Sequence, residues 1–330
     1  MSVRDLQPEI YHVKTSDDWN LALYRYRGRS SKKFPILAIH GIGTNRYSLD
    51  FVEPRLSIAK QLHAVGYDVW VMELRGTGGS AKQGPLAYFA NWNFDDYVFK
   101  DLPAVVSFIQ KATGQKRLHW LGNSLGGTVA YAAIETLGND VCQSLIIVGS
   151  SMSAEAKPGF VKLLLAFDCV LKHLVVTLPN KLFARAAAPF LKYIVPFEDN
   201  FYFCLDNIEK TTLALACQYC VENSPPALVL QLHDWYKHNH FRSVDHRFSY
   251  RDHLKKITAP TLILAGSTDG LTPVHDCRYA YDKIRSRDKK FVTFGRDYGC
   301  KAEYSHADLL LGRYAPQEVY PVIRQWLAKH

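Results

Sequence analysis

The chain has 330 residues and a formal net charge of +9, and its lysines and arginines are dispersed rather than concentrated in one tract. This dispersion argues against nucleic-acid binding. Seven cysteines, scattered and odd in number, argue against a disulfide framework and favour a reducing compartment. Residues 1–5 run into polar sequence without an apolar core, so we expect no secretory signal and a cytoplasmic location.

Strand and helix signals alternate from residue 10 to residue 150, which predicts an α/β fold with a mostly parallel central sheet flanked by helices. Short apolar runs are typical of strands buried on both faces. The predicted strands are an antiparallel hairpin over residues 11–15 and 21–27, then residues 34–40, 68–74, 117–121 and 144–148. Helical spacing predicts helices over residues 54–65 and 94–113.

The pattern changes after Ser153. Residues 160–254 show helical periodicity interrupted by prolines and no strand rhythm, which predicts a helical cap inserted into the sheet domain. Alternation then resumes with strands over residues 261–266 and 290–294 and helices over residues 276–285 and 316–329. We therefore expect a core of residues 1–153 and 257–330 with a cap of residues 154–256.

The most apolar stretch of the chain, residues 160–178, lies in this cap. Four polar or charged residues interrupt it, so a membrane span is not expected: Lys162, Asp168, Lys172 and His173. An amphipathic helix packed on the core is favoured, and peripheral contact with a lipid surface through the cap is the alternative.

A glycine-rich pentapeptide, residues 122–126, separates the strand ending at Leu121 from an Ala-rich helical stretch. This context is typical of a nucleophile elbow, in which a strained central residue needs neighbours without side chains. Ser124 is the central residue, and Gly122, Gly126 and Gly127 meet the steric demand. The alternative is an ordinary glycine turn that contains a serine.

A serine hydroxyl needs a base to remove its proton and a carboxylate to orient that base. Where a serine stands at such an elbow, the chain order is nucleophile, acid, histidine. Asp269 follows the strand over residues 261–266 and His306 follows the next strand, so we assign them as acid and base. Asp297 and Asp308 remain alternative acids, and Asp269 could instead cap the turn that follows it.

Backbone amides must also stabilise the oxyanion formed during attack. The amide of Leu125, directly after the nucleophile, is one candidate. The other is the amide of Ile42, because the loop at residues 40–43 follows an early strand and has glycine on both sides of Ile42. A simple glycine turn is the alternative.

Three other patterns were weighed for binding chemistry. The loop at residues 75–80 lacks the Lys-Ser/Thr ending of a phosphate-binding loop and has the wrong spacing for a dinucleotide site. Cys217 and Cys220 form a lone C-x-x-C in a helical stretch, which favours packed cysteines over a redox or zinc site. Four cap histidines are interpreted as a polar-aromatic surface: His233, His238, His240 and His246. We expect no cofactor and no metal.

Together these residues resemble the α/β-hydrolase superfamily and, within it, the gastric and lysosomal acid lipases. The similarity lies in residues 11–18, in residues 93–116 leading into the elbow, and in residues 306–320. It implies an α/β-hydrolase fold, triad positions for Ser124, Asp269 and His306, and oxyanion positions for Leu125 and Ile42. The elbow departs from the family's usual G-H-S-Q-G at Asn123 and Leu125, which leaves the reaction class intact and weakens the case for triglyceride.

The leading hypothesis is a serine-dependent carboxylic-ester hydrolase that acts on a small-molecule or lipid ester with an apolar acyl group. An acyltransferase or thioesterase could use the same triad and acyl-enzyme. A catalytically silent binding protein with this fold is the alternative from another class. Polyhydroxyalkanoate synthases are distantly similar, but they use cysteine at the position of Ser124.

Overall fold

Eight strands form the centre of the protein, as seen in a computed structural model that describes residues 6–29, 33–82, 90–155, 180–187 and 201–330. The strand bounds are β1 Glu9–Lys14, β2 Asn20–Tyr26, β3 Ile36–Ile39, β4 Val69–Met72, β5 Leu118–Asn123, β6 Cys142–Val148, β7 Thr261–Gly266 and β8 Lys289–Phe294. They lie side by side in the order β1-β2-β4-β3-β5-β6-β7-β8. Only β2 pairs antiparallel with its neighbours β1 and β4, so the predicted mostly parallel sheet is confirmed.

The central strands are buried on both faces because successive side chains point in opposite directions. In β3 and β4, Leu37 and Trp70 belong to the apolar core on one face, whereas Ile36 and Val69 belong to the core on the other. All four are fully buried. A continuous apolar run is therefore the correct sequence signal for these strands.

Helices cover both faces of the sheet. Those of the core are Ile58–Ala64, Leu102–Thr113, Leu125–Leu137, Val274–Lys283, Asp308–Leu311 and Ala315–Lys329. The predicted helix over residues 54–65 is divided, because a 3-10 turn at Pro54–Leu56 precedes Ser57, whose side chain caps the α-helix by accepting the N–H of Lys60. The predicted helix over residues 94–113 begins as predicted but contains a π-turn at Tyr97–Asp101.

Between β6 and β7, the described residues form helices joined by loops and turns. Its described helices are Asn180–Ala187, Lys210–Tyr219, Pro226–His238 and Tyr250–His253. The apolar stretch at residues 160–178, on which the prediction of an amphipathic cap helix rests, lies outside the described residues. Within the described residues, no helix has the length and apolar character needed to cross a bilayer.

Candidate active site

Ser124 stands at a sharp turn between β5 and the helix Leu125–Leu137, called here the elbow helix. Its backbone has φ 55° and ψ −129°, a strained conformation for a residue with a side chain. Such strain persists only where the surroundings impose it, as the pentapeptide predicts. The Ser124 carbonyl accepts hydrogen bonds from Gly127 N and from Ser150 Oγ, which hold the turn closed.

Glycines let the backbone come close to this turn. A Cβ on Gly122 would lie 2.5 Å from Gly127 Cα, and a Cβ on Gly126 would overlap the carbonyls of Ile39 and His40. A Cβ on Gly41 would lie 2.8 Å from Ser124 Cβ and 3.3 Å from Ser124 Oγ. Packing without side chains therefore fixes the serine against the end of β3.

Asp269 is the carboxylate that contacts His306. Its Oδ2 lies 2.9 Å from His306 Nδ1, and both side chains are buried. The other oxygen, Oδ1, accepts the backbone amides of Leu271 and Thr272, each at 2.8 Å. The Asp269 side chain thus caps the turn that follows it and also contacts His306. An ionised carboxylate can only accept hydrogen bonds, so a neutral His306 carries its proton on Nδ1 and has a free lone pair on Nε2.

Ser124 and His306 line one cavity of about 50 Å³. It is bordered by residues at or after the ends of β3, β5, β7 and β8 and by one residue from the chain between β6 and β7: Gly41, Ile42, Thr44, Ser48, Asn123, Ser124, Tyr202, Leu271, His306, Ala307, Leu310 and Leu311. Among the hydrogen bonds of the described residues there is none between Ser124 Oγ and His306 Nε2. Contacts of this kind are commonly loose without a bound ligand.

Ile42, in the loop after β3, lines this cavity, and the backbone N–H of Leu125 is the first amide of the elbow helix. That first amide has no carbonyl within its own helix to bond. His40 anchors the loop from behind: its Nε2 accepts the N–H of Leu74 at 3.1 Å, so its Nδ1 donates to the carbonyl of Gly41 at 2.8 Å. Burial lowers the pKa of His40 to about 4, so the ring is neutral at pH 7.

Residues 201–208, called here the return segment, lie between β6 and β7 and bind both loops of the acid–histidine pair. The carbonyl of Phe201 accepts Gly270 N at 3.2 Å, and that of Tyr202 accepts Ala307 N at 2.8 Å. The Tyr202 ring centroid lies 5.4 Å from that of His306. The chain between β6 and β7 therefore contacts the candidate site through specific backbone hydrogen bonds.

Asp308 joins the return segment to the histidine loop and does not contact His306 as an acid. Its Oδ2 accepts the amides of Ser305 at 2.9 Å and Cys204 at 2.6 Å. Burial raises the pKa of Asp308 to about 7. The other alternative acid, Asp297, lies exposed in the 3-10 turn after β8.

The loop after β3 is joined to the chain between β6 and β7 in the same way. Asn45 N donates to the carbonyl of Cys220 at 3.0 Å, and Glu222 N donates to that of Gly43 at 2.8 Å. Between these bonds Thr44 and Val221 form an isolated antiparallel bridge. Residues 220–222 therefore brace the loop that carries Ile42.

The structure also describes the surroundings of the loop at residues 75–80, the cap histidines and the C-x-x-C cysteines. Arg75 is buried and bonds Asp101 and Asp17, which is consistent with a tight loop rather than a phosphate site. His240 Nε2 lies 2.9 Å from Asp234 Oδ2. Cys217 and Cys220 are free thiols. Within the described ranges, no group of His, Cys, Asp or Glu side chains is arranged to hold a metal ion.

Sequence reasoning missed the roles that four residues have in this geometry: His40, Thr272, Tyr202 and Asp308. Asp308 was considered only as an alternative acid, and its bridging role was missed. Thr272 carried a usable signal, since a threonine three residues after an aspartate and directly before proline is typical of a carboxylate-capped turn. His40 carried one as well, because it is a polar residue at the end of a buried strand. Tyr202 carried none.

Comparison with known proteins places this geometry in a family. A family described as "alpha/beta hydrolase fold" matches residues 35–297. Lipase member K of Homo sapiens is 35% identical over 139 residues, which cover 39% of this chain and 35% of that protein. Gastric triacylglycerol lipase of Rattus norvegicus is 32% identical over 136 residues, which cover 38% of this chain and 34% of that protein. The resemblance to gastric lipases is confirmed, and the chain spans about a third of the length of these curated relatives.

Solved structures show the same fold over nearly the whole chain. A thermophilic esterase from Thermogutta terrifontis has a TM-score of 0.64 at 19% identity and covers 97% of this chain and 98% of its own. A monoacylglycerol lipase from Paleococcus ferrophilus has a TM-score of 0.61 at 17% identity, with coverage of 93% and 99%. At these identities the likeness concerns the fold alone.

Proposed function

The chain belongs to the α/β-hydrolase fold family, and on that premise we propose that it is a serine-dependent carboxylic-ester hydrolase acting on apolar acyl esters. One observation carries the proposal. Ser124, held at a strained elbow, shares a cavity with His306, whose Nδ1 lies 2.9 Å from the buried carboxylate of Asp269. The similarity to lipases over part of the chain supports the same activity.

In the proposed reaction Ser124 Oγ attacks the ester carbonyl while His306 Nε2 takes the hydroxyl proton. Asp269 holds the Nδ1–H of His306 and stabilises the imidazolium that forms. The amides of Leu125 and Ile42 donate to the oxyanion. His306 then protonates the departing alcohol, and a water molecule activated by His306 releases the acyl group as a carboxylic acid and restores Ser124.

Cavity lining supports an apolar acyl group. Leu271, Ala307 and Leu310 form an apolar wall on the acid–histidine side, and Ile42 adds to it on the serine side. The volume of about 50 Å³ is well below the several hundred Å³ of a typical ligand pocket. We therefore propose that the cavity holds the reacting carbonyl and that residues 154–256 act as a cap along which the acyl chain extends. Contact of this cap with a lipid surface and the cytoplasmic location stay predictions.

A fluorophosphonate probe and a p-nitrophenyl ester test the proposal together. Wild-type protein should be labelled and should hydrolyse the ester, and Ser124→Ala should abolish labelling and lower kcat/KM by roughly 10⁴-fold or more. Ser48→Ala is the matched control, because Ser48 lines the same cavity and its hydroxyl donates to the carbonyl of Asn45. Retained labelling in Ser124→Ala, or its loss in Ser48→Ala, would contradict the assignment.

A further inference from the structure

Thr272 lies on the acid loop, where its hydroxyl reaches both partners of the acid–histidine pair. Its Oγ1 is 2.8 Å from Asp269 Oδ2 and 3.2 Å from His306 Nδ1. Asp269 Oδ2 is also the oxygen that accepts the His306 N–H. Because a carboxylate only accepts, the threonine proton points to Asp269 and an oxygen lone pair faces His306. One carboxylate oxygen is therefore shared by two donors.

The position of Thr272 is fixed from several directions. Its amide donates to Asp269 Oδ1 at 2.8 Å, and its carbonyl accepts a hydrogen bond from Cys277 Sγ at 3.2 Å. Pro273 follows and restricts Thr272 to an extended backbone. The residue is buried, so water does not readily replace its bond to the carboxylate.

A hydrogen bond donated to a carboxylate stabilises its negative charge and reduces the charge that reaches other partners. The imidazolium formed when His306 takes a proton depends on that charge. The Thr272 bond to Asp269 therefore weakens the stabilisation that Asp269 gives to this imidazolium. The lone pair facing His306 Nδ1 acts in the opposite direction, but through a longer contact that lacks the full charge of a carboxylate, so the bond to Asp269 dominates.

We propose that Thr272 is a positioning residue that sets the proton affinity of His306 through Asp269 Oδ2, and so keeps His306 available as a base at lower pH. The proposal rests on the proposed function, in which His306 is the general base. Removal of the hydroxyl should raise the pKa of His306, and the acid limb of the kcat/KM profile should move to higher pH.

Other titratable groups surround the pair and stay in place when Thr272 is changed. Cys277 and Tyr236 interact electrostatically with Asp269, and burial raises the pKa of each, so both are neutral at pH 7. The Tyr202 ring faces His306. Burial raises the pKa of Asp308, two residues beyond His306, to about 7, so this carboxyl itself titrates near neutral pH. The His306 resonance must therefore be followed directly.

The test compares Thr272→Val, which keeps the shape and removes the hydroxyl, with Thr272→Ser, which keeps the hydroxyl. Thr268→Val is the matched control, since the Thr268 hydroxyl lies on the same loop and donates to the carbonyl of Tyr304. NMR titration of the His306 imidazole, assigned with His306→Gln, and the pH profile of p-nitrophenyl butyrate hydrolysis are the two readouts. Thr272→Val should raise the midpoint of the His306 titration and the midpoint of the acid limb of the pH profile, each by roughly half to one pH unit. Thr272→Ser and Thr268→Val should leave both midpoints unchanged.

The direction of the pKa change in Thr272→Val distinguishes this role from a merely structural one. A valine methyl beside His306 desolvates the imidazolium and would by itself lower the pKa, so a rise can come only from the lost bond to Asp269. An unchanged or lowered pKa of His306 in Thr272→Val, or a kcat lowered equally at every pH, would overturn the inference while Ser124-dependent hydrolysis stands. Absence of Ser124-dependent hydrolysis in wild type would overturn the proposed function, and the NMR titration would still read the coupling.

Discussion

The two halves of the candidate site are positioned by different physical means. In the serine half, residues 41–42 and 122–127, close backbone packing at glycines holds Ser124 in place. In the acid–histidine half, residues 269–272 and 305–308, hydrogen bonds do this work, and Asp269 accepts four of them. The serine half should therefore be sensitive to added volume, and the other half to the loss of a charge or a donor.

Removal of the charge from Asp269 tests the polar half and has the largest expected effect in this comparison. Asp269→Asn keeps an oxygen for the amides of Leu271 and Thr272 but can no longer hold His306 in the Nδ1–H tautomer. We expect kcat to fall by roughly 10⁴-fold, as the equivalent change does in a Ser-His-Asp protease, with little change in thermal midpoint. Asp297→Asn, at the exposed turn, is the control and should match wild type. Near-normal kcat in Asp269→Asn would remove Asp269 from the triad.

Added volume tests the serine half. In Gly41→Ala the new Cβ would press on Ser124 Cβ at 2.8 Å, and the backbone at Gly41 lies outside the left-handed region. A displacement of Ser124 by a fraction of an ångström should lower kcat by roughly 10²-fold, and the overpacking should cost about 1 to 3 kcal/mol of stability. Gly114→Ala separates the two effects: it has open space but φ 70°, so about 1 kcal/mol of stability should be lost without loss of kcat. Equal activity in the two variants would contradict the steric account.

Variation of the acyl-chain length has the smallest expected effect on kcat/KM for each added methylene. It tests which half of the candidate site contacts the substrate. Each added methylene that is buried contributes about 0.8 kcal/mol, which is roughly fourfold in kcat/KM. From acetyl to octanoyl p-nitrophenyl esters we expect kcat/KM to rise and then reach a plateau. Leu271→Ala, at the cavity wall, should flatten the rise, whereas Ile10→Ala, exposed on β1, should not. A flat or falling series in wild type would favour small esters as substrates.

The core fold could be predicted because its signals are local. β3 and β4 are short apolar runs, and the elbow combines a strand, three glycines and a helical stretch within a few residues. The chain order of serine, acid and histidine then directed attention to Asp269 and His306. Local signals also led to an error: the helical spacing of residues 54–65 hid the cap at Ser57, which divides the segment.

The rest of the site could not be predicted because it depends on contacts between distant parts of the chain. Cys204 N meets Asp308 across 104 residues, and Asn45 meets Glu222 across 177. Neither pair leaves a periodic or spacing signal in one sequence. Tyr202 is similar, since its position over His306 follows from the backbone bond between its carbonyl and Ala307 N.

The backbone bonds of the return segment have a consequence for protein engineering. An exchange of the region between β6 and β7 for that of another hydrolase would normally cut at the strand ends. Such a chimera would lose the partners of Gly270 N and Ala307 N along with the bridge at Thr44. Graft boundaries that retain residues 201–208 and 220–222 with the host should preserve the loops on which catalysis is proposed to depend.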